Sequence, residues 1–332
     1  MINRKSTYLT LIVALLLLVP LALIALSIGR MQLSLSQTWA GLIDPKYNAL
    51  YANILYDIRL PRVLGAMVIG AALASSGIAF QNPFNNPLVS PDLLGVSNGA
   101  AVGAALAILL NSNLWVVQGF ALIGGILAVS ITVLIPRLVG QGGTLILVLS
   151  GIIISGFMQA ALGLLKYLAD PDSQLQSIVY WQLGSIAKLD IPSLLAALPM
   201  MIIGFIILIF FRWHLTIMSL GGQTAASQGI NIERERLVII LAATLLTAGA
   251  VCLAGTIGWI GLVVPHIARR LIGDNARFAL PLAAIFGAAF LLVIDTLART
   301  MSAGEIPLSI LTGFIGTPVF IYILAHRKDL IQ

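Results

Sequence analysis

Three strings in this chain hold the residue types from which a site inside a membrane could be built. The first, QNPFNNPLVSPDLLGVSNG from Gln81 to Gly99, spaces Pro83, Pro87 and Pro91 by four and adds four asparagines. The second, GTIGWIGLVVPHIARR from Gly255 to Arg270, sets Pro265 and His266 in an apolar segment just before a basic pair. The third, ILTGFIGTPVF from Ile310 to Phe320, interrupts an apolar run with glycine and proline. Backbone broken in this way cannot face lipid, because its unpaired N–H and C=O groups must find water or protein. Other chemistries fit poorly. Zinc needs three or four ligands, and the chain holds only His214, His266 and His326. No GxxxxGK[ST] string is present to cradle a nucleotide's phosphates. No set of paired carboxylates, nucleophile and base lies within reach of one face, which argues against a membrane enzyme. Asp295, Lys166 and His266 are the ionisable residues nearest span interiors, each close to an end, which disfavours an ion-coupled carrier.

The elements that position these strings are apolar helices. The chain has 332 residues, 59% hydrophobic and 9% charged, with a mean hydropathy of +1.04. That leaves too little polar surface to coat a soluble globule of this size. About ten runs have membrane-spanning length. They are Tyr8 to Ile28, Leu60 to Phe80, Leu93 to Leu110, Leu114 to Ile135, Thr144 to Leu168, Ile191 to Phe211, Leu237 to Ala254, Ile257 to Ile272, Phe278 to Ala298 and Ile306 to Ala325. The expectation is an all-α, polytopic membrane protein forming a single domain over residues 1–332, since no gap between runs could build a separate core. The first run is longer than a signal peptide's apolar region and is kept as a membrane helix. Cys252, the single cysteine, lies within a span as a small buried hydrophobe.

The net charge of +6 comes from basic residues scattered singly or in pairs between spans, a distribution suited to membrane topology rather than to nucleic acid. With the N-terminus cytoplasmic and ten crossings, Arg4, Lys5, Arg137, Arg212, Arg234, Arg236, Arg269, Arg270, Arg277, Arg327 and Lys328 fall inside. Arg30, Lys46, Arg59, Arg62, Lys166, Lys188 and Arg299 fall outside, which makes 11 against 7 of the 18. The excess places both termini in the cytoplasm. Small residues, as in Gly65 to Gly77 and Gly119 to Gly125, suit close helix packing in lipid.

The longest hydrophilic cytoplasmic segment, RWHLTIMSLGGQTAASQGINIERER from Arg212 to Arg236, reads as two small helices joined at glycines and lying at the membrane surface. Such an element can be gripped by a soluble partner; the plainer reading is a solvated linker that anchors the next span.

Taken in order, the strings resemble the FecCD-type permeases of bacterial ABC importers for iron-siderophores, haem and cobalamin. The matching residues are RLPR at Arg59 to Arg62, NPLVSPDLLG from Asn86 to Gly95 with Pro87 and Pro91, GLVVPHIAR with Gly261, Pro265, His266 and Arg269, and the stretch from Glu305 through Pro307, Gly316 and Pro318 to Phe320. The resemblance covers nearly the whole chain. Asn85 stands where members often carry arginine, and in LGGQTAASQG, Leu220 to Gly229, Gly222 replaces an acid and Gln228 a leucine. The resemblance implies a type II importer permease of about ten spans in a bacterial or archaeal cytoplasmic membrane, paired as a homodimer or with a related permease. Leu220, Gly221, Gly222, Ala225, Ala226 and Gly229 would form the element that couples to two copies of an ATP-binding cassette subunit. Arg59, Arg62 and Arg299 would dock carboxylates of a periplasmic or lipid-anchored substrate-binding protein. The chain would bind no cofactor of its own, ATP belonging to the partner. A ferric siderophore is the leading cargo, with haem, cobalamin or an oxyanion such as molybdate as alternatives.

Overall fold

The computed structural model describes residues 4–44, 48–140, 143–302 and 304–325; Lys46, His326, Arg327 and Lys328, used in the sequence reading, lie outside them. Helix α1 (Arg4–Ser27) is followed by α2 (Leu35–Ile43) and α3 (Ala49–Asn53). Through a π-turn at Ile54–Arg59, α3 runs straight into α4 (Leu60–Gln81). A 3₁₀ turn at Pro91–Leu94 leads to α5 (Val96–Leu109), α6 (Leu114–Val139) and α7 (Thr144–Leu168). Then come α8 (Gln174–Leu183), α9 (Ile191–Phe210), α10 (Arg212–Met218) and α11 (Gly222–Ser227). The chain ends with α12 (Ile232–Ala254), α13 (Ile260–Ile272), α14 (Ala276–Met301) and α15 (Leu308–Ala325). Among the described residues no strand is present.

Each of the ten expected spans coincides with a helix, and among the described residues seven helices are long and apolar enough to cross a membrane unaided. Two spans differ from expectation. The third begins as a 3₁₀ turn closed by Gly95 at φ +86°, so α5 has only 14 residues. The eighth is not helical from Ile257. Gly255 (φ +70°) and Trp259 (φ +72°) turn the chain out of α12, and α13 keeps 13 residues, about 20 Å of rise against a hydrocarbon core of about 30 Å. The residues from Gly255 to Trp259 precede it as non-helical chain. Their backbone groups find protein partners, as a bilayer demands. Gly255 N donates to Val251 O at 2.8 Å, Ser309 Oγ donates to Thr256 O, and Trp259 O accepts from Val263 N at 2.8 Å.

Burial sorts the helices into two layers. In the rod Ala49–Gln81 and in α12, 78% of the most apolar stretch is buried, against 22% in α1 and 28% in α6. The inner helices are rich in small residues and meet backbone to backbone. A Cβ on Gly70 would lie 2.1 Å from Gly287 O of α14, and one on Gly77 would lie 2.0 Å from Gly261 O of α13. Lipid supplies no hydrophobic drive between helices, so these close approaches supply dispersion instead.

Candidate functional site

Two separate stretches of sequence, α10 and α13, converge on the last turn of α4. Gln81 Nε2 donates to Gly261 O of α13 at 3.2 Å. Asn82, 3% exposed, donates from Nδ2 to Leu215 O of α10 at 3.1 Å and accepts at Oδ1 from Arg269 Nη2 of α13 at 3.1 Å. Asn82 thus bridges α10 to α13 with both ends of one amide. Arg269 also stands 3.9 Å from Asp274, and Thr216 Oγ1 accepts from the first amide of α14, Ala276 N, at 2.9 Å. The chain after Asn82 turns at Asn85, whose φ of +46° is one that asparagine tolerates better than most side chains. Asn86 Oδ1 accepts from Leu88 N at 2.9 Å in an Asx turn ahead of Pro87. Nothing in the residue spacing singled out Asn82; the signal available was a polar pair, Gln81 and Asn82, closing an apolar helix.

The segment expected to form two small helices does so. Helices α10 and α11 meet at Gly221 (φ +107°), and α11 leaves at Gly229 (φ +76°). No atom lies within 4 Å of a Cβ built on either glycine, so backbone conformation rather than crowding demands them. Ala225 is buried and anchors α11, while Leu220, Gly222 and Ala226 are exposed.

The short helix α13 carries three residues of the second string. Pro265 packs beside Gly77, and His266 has Nδ1 2.8 Å from Leu262 O and its ring edge-on to Phe320 at 5.6 Å. At the head of α13, Trp259 lies against α15, 6.4 Å from the Phe320 ring. A Cβ on Gly316 would sit 2.7 Å from Trp259 Cβ, so the third string needs glycine there to admit the indole. Trp259 and Gly261 also border a cavity of about 220 Å³ lined by Ser90, Pro91 and Asp92 from the first string. The two broken strings therefore face one another across a void within the bundle.

Near the other end of α4 lie the three arginines expected to meet a partner's carboxylates. Arg59, Arg62 and Arg299 are 4%, 6% and 5% exposed, not free at a rim. Arg59 donates from Nη1 to Ser27 O at 2.9 Å and also reaches Leu26 O and Met31 O, while Arg299 donates to Ala25 O and to Thr296 Oγ1. Both satisfy carbonyls left unpaired at the C-terminal end of α1. Arg62 Nε spans both oxygens of fully buried Asp295 at 2.8 and 3.0 Å, and its Nη1 meets Glu305 at 3.0 Å. Arg299 Nε stands 3.9 Å from Asp295, one helical turn away. Glu305 sits at φ +55° just before Pro307 and α15. These contacts engage all three guanidiniums within the chain. Arginine sidedness in the sequence was visible; the carbonyls of α1 that claim two of them were not.

The chain matches the FecCD transport family over residues 15–326. It is 37% identical over 309 residues to the molybdate import system permease protein MolB of Haemophilus influenzae, covering 92% of each chain. It is also 37% identical over 316 residues to an iron chelatin transport system permease protein of Helicobacter pylori, covering 93% of this chain and 95% of the relative. Its fold superposes with a TM-score of 0.85, at 36% identity, on a metal-chelate type ABC transporter captured in an inward-facing conformation, covering 95% of this chain and 98% of that one.

Proposed function

Because the chain belongs to the FecCD transport family, we propose that it is the membrane permease of an ABC importer that passes a metal chelate or an oxyanion into the cytoplasm, powered by separate ATPase subunits. The observation that carries this reading is the Asn82 bridge. A glycine-bounded helix pair at the inner end is wired through one buried amide to α4 and α13, so a push on α10 is delivered to the helices beside the broken strings. Short helices held at glycines suit the role of rigid levers gripped by a soluble motor.

The cargo class follows the relatives. One named for molybdate and another named for iron chelatin are equally similar to this chain, so a ferric chelate and an oxyanion both fit. Two copies of the ATP-binding cassette subunit, a substrate-binding protein at the outer end, and a second permease copy or a related permease complete the assembly. Both termini lie in the cytoplasm. The binding protein would dock on the outer surface around α8 and the exposed Lys188 rather than on Arg59, Arg62 and Arg299. No cofactor resides in the chain, and ATP is held and hydrolysed by the partner.

The competing reading, an ion-coupled carrier, needs a carboxylate that takes up and releases its ion during transport. Asp295 is held by Arg62 and neighboured by Arg299, which opposes that use. Co-purification from native membranes tests the proposal. The expected result is an attached ATPase subunit and ATP-dependent uptake. Uphill uptake by the lone chain from an ion gradient would overturn it.

A further inference from the structure

Where α6 ends and α7 and α12 begin, a cavity of about 440 Å³ opens between the three helices. Its floor is apolar, formed by Val133, Leu147, Leu237 and Ile240. Its charged lining is Arg137, Arg234 and Arg236 against the single Glu233. None of the three guanidiniums has a carboxylate within ion-pair distance among the described residues. Arg236 lies against the Phe84 ring at 6.0 Å, and its Nε is buried without a hydrogen-bond acceptor. The buried Arg236 donor with no acceptor is costly unless something anionic completes it, and the exposed Arg137 and Arg234 stand beside it over the same apolar floor.

We infer that this cavity binds the phosphate head group of an anionic phospholipid from the cytoplasmic leaflet, with an acyl chain on the apolar floor. The inference rests on the proposed function only for the side of the membrane. A basic pocket between helix ends at that surface is the chemistry that holds such lipids, and the arginine fork pairs with phosphate oxygens through two hydrogen bonds. A free anion would use the arginines but leave the Val133 and Leu147 floor bare. The site has a consequence for the lever. Helix α12 starts three residues after Gly229, so a lipid held by Arg234 and Arg236 of α12 and Arg137 of α6 braces the first turn beyond the α10–α11 pair against the outer helices.

The test uses the full permease, with whatever subunits co-purify, in nanodiscs of phosphatidylcholine containing a minority of phosphatidylglycerol. Lipid retained after detergent extraction is counted by native mass spectrometry. Wild-type protein should retain phosphatidylglycerol over phosphatidylcholine. Arg137→Gln with Arg234→Gln should cut that preference about 25-fold, at about fivefold for each charge removed. The corresponding Arg→Lys pair should keep most of it. Equal retention of both lipids by wild type overturns the inference even if the glutamine variant fails to fold. So does displacement of phosphatidylglycerol by millimolar inorganic phosphate, which would mark a free-anion site. Loss of the ATPase subunit from the glutamine variant with its lipid preference intact would also overturn it, marking a partner groove. Lipid retention is read without transport, so absence of any ATPase partner would sink the proposed function and leave this result standing.

Discussion

Removing the Asp295 carboxylate, as in Asp295→Ala, should destabilise the protein by about 3 kcal/mol. The carboxylate is fully buried and accepts both contacts of Arg62 Nε, at 2.8 and 3.0 Å, with Arg299 at 3.9 Å. Breaking a buried ion pair from one side generally costs about 3–5 kcal/mol, because the surviving charge stays in a poor solvent. Here the lower end applies. Arg62 keeps Glu305 at 3.0 Å, and Arg299 keeps Ala25 O and Thr296. A neutral hydrogen bond between membrane helices is worth only about 0.6 kcal/mol, so loss on the larger scale identifies charge as the cause. The measurement is reversible unfolding in mixed micelles followed by tryptophan fluorescence. About 3 kcal/mol is roughly a hundredfold in the folded-to-unfolded ratio, well within its range. A double-mutant cycle supplies the control: Arg62→Met with Asp295→Leu should be less destabilised than the sum of its singles by about 2 kcal/mol. Additive singles, or an Asp295→Ala protein as stable as wild type, would refute the assignment of these arginines to the interior. If they were docking residues instead, Asp295→Ala would release them and tighten binding-protein association with stability unchanged.

Three other outcomes are expected. Gly77→Leu should force α4 and α13 apart, since its Cβ alone would lie 2.0 Å from Gly261 O, and thermal unfolding should drop by several degrees; Gly119→Leu, with nothing within 4 Å of its Cβ, should not differ from wild type. Asn82→Ala removes both bridging hydrogen bonds and leaves the buried Leu215 carbonyl without its side-chain donor. It should cost about 1–3 kcal/mol and lower uptake more than ATP hydrolysis in the reconstituted complex, whereas equal loss of both would count against a transmission role. Gly221→Leu with Gly229→Leu places side chains at positive φ, at about 1–2 kcal/mol each, and should leave hydrolysis running while uptake fails; coupled transport at the normal ratio would contradict the lever.

The sequence by itself determined the class of the molecule, the positions of the apolar runs and the glycine-jointed segment between α9 and α12, because those follow from local quantities. Apolar run length sets what can cross a bilayer, and glycine punctuation sets where short helices end. It also determined, through ordered strings such as GLVVPHIAR and NPLVSPDLLG, the resemblance that the family match bears out. It did not determine that the eighth span opens with non-helical chain, because the group that pairs the Thr256 carbonyl there, Ser309 Oγ, lies far away in sequence. Nor could it assign Arg59, Arg62 and Arg299. Their charge placed them near the outer end, but their role depends on Asp295, Glu305 and the last carbonyls of α1, which lie 28 to 274 positions distant where they are not on the same helix. Charge sidedness is additive along a chain. Burial of a charge depends on which distant groups surround it, and only tertiary packing brings those groups together.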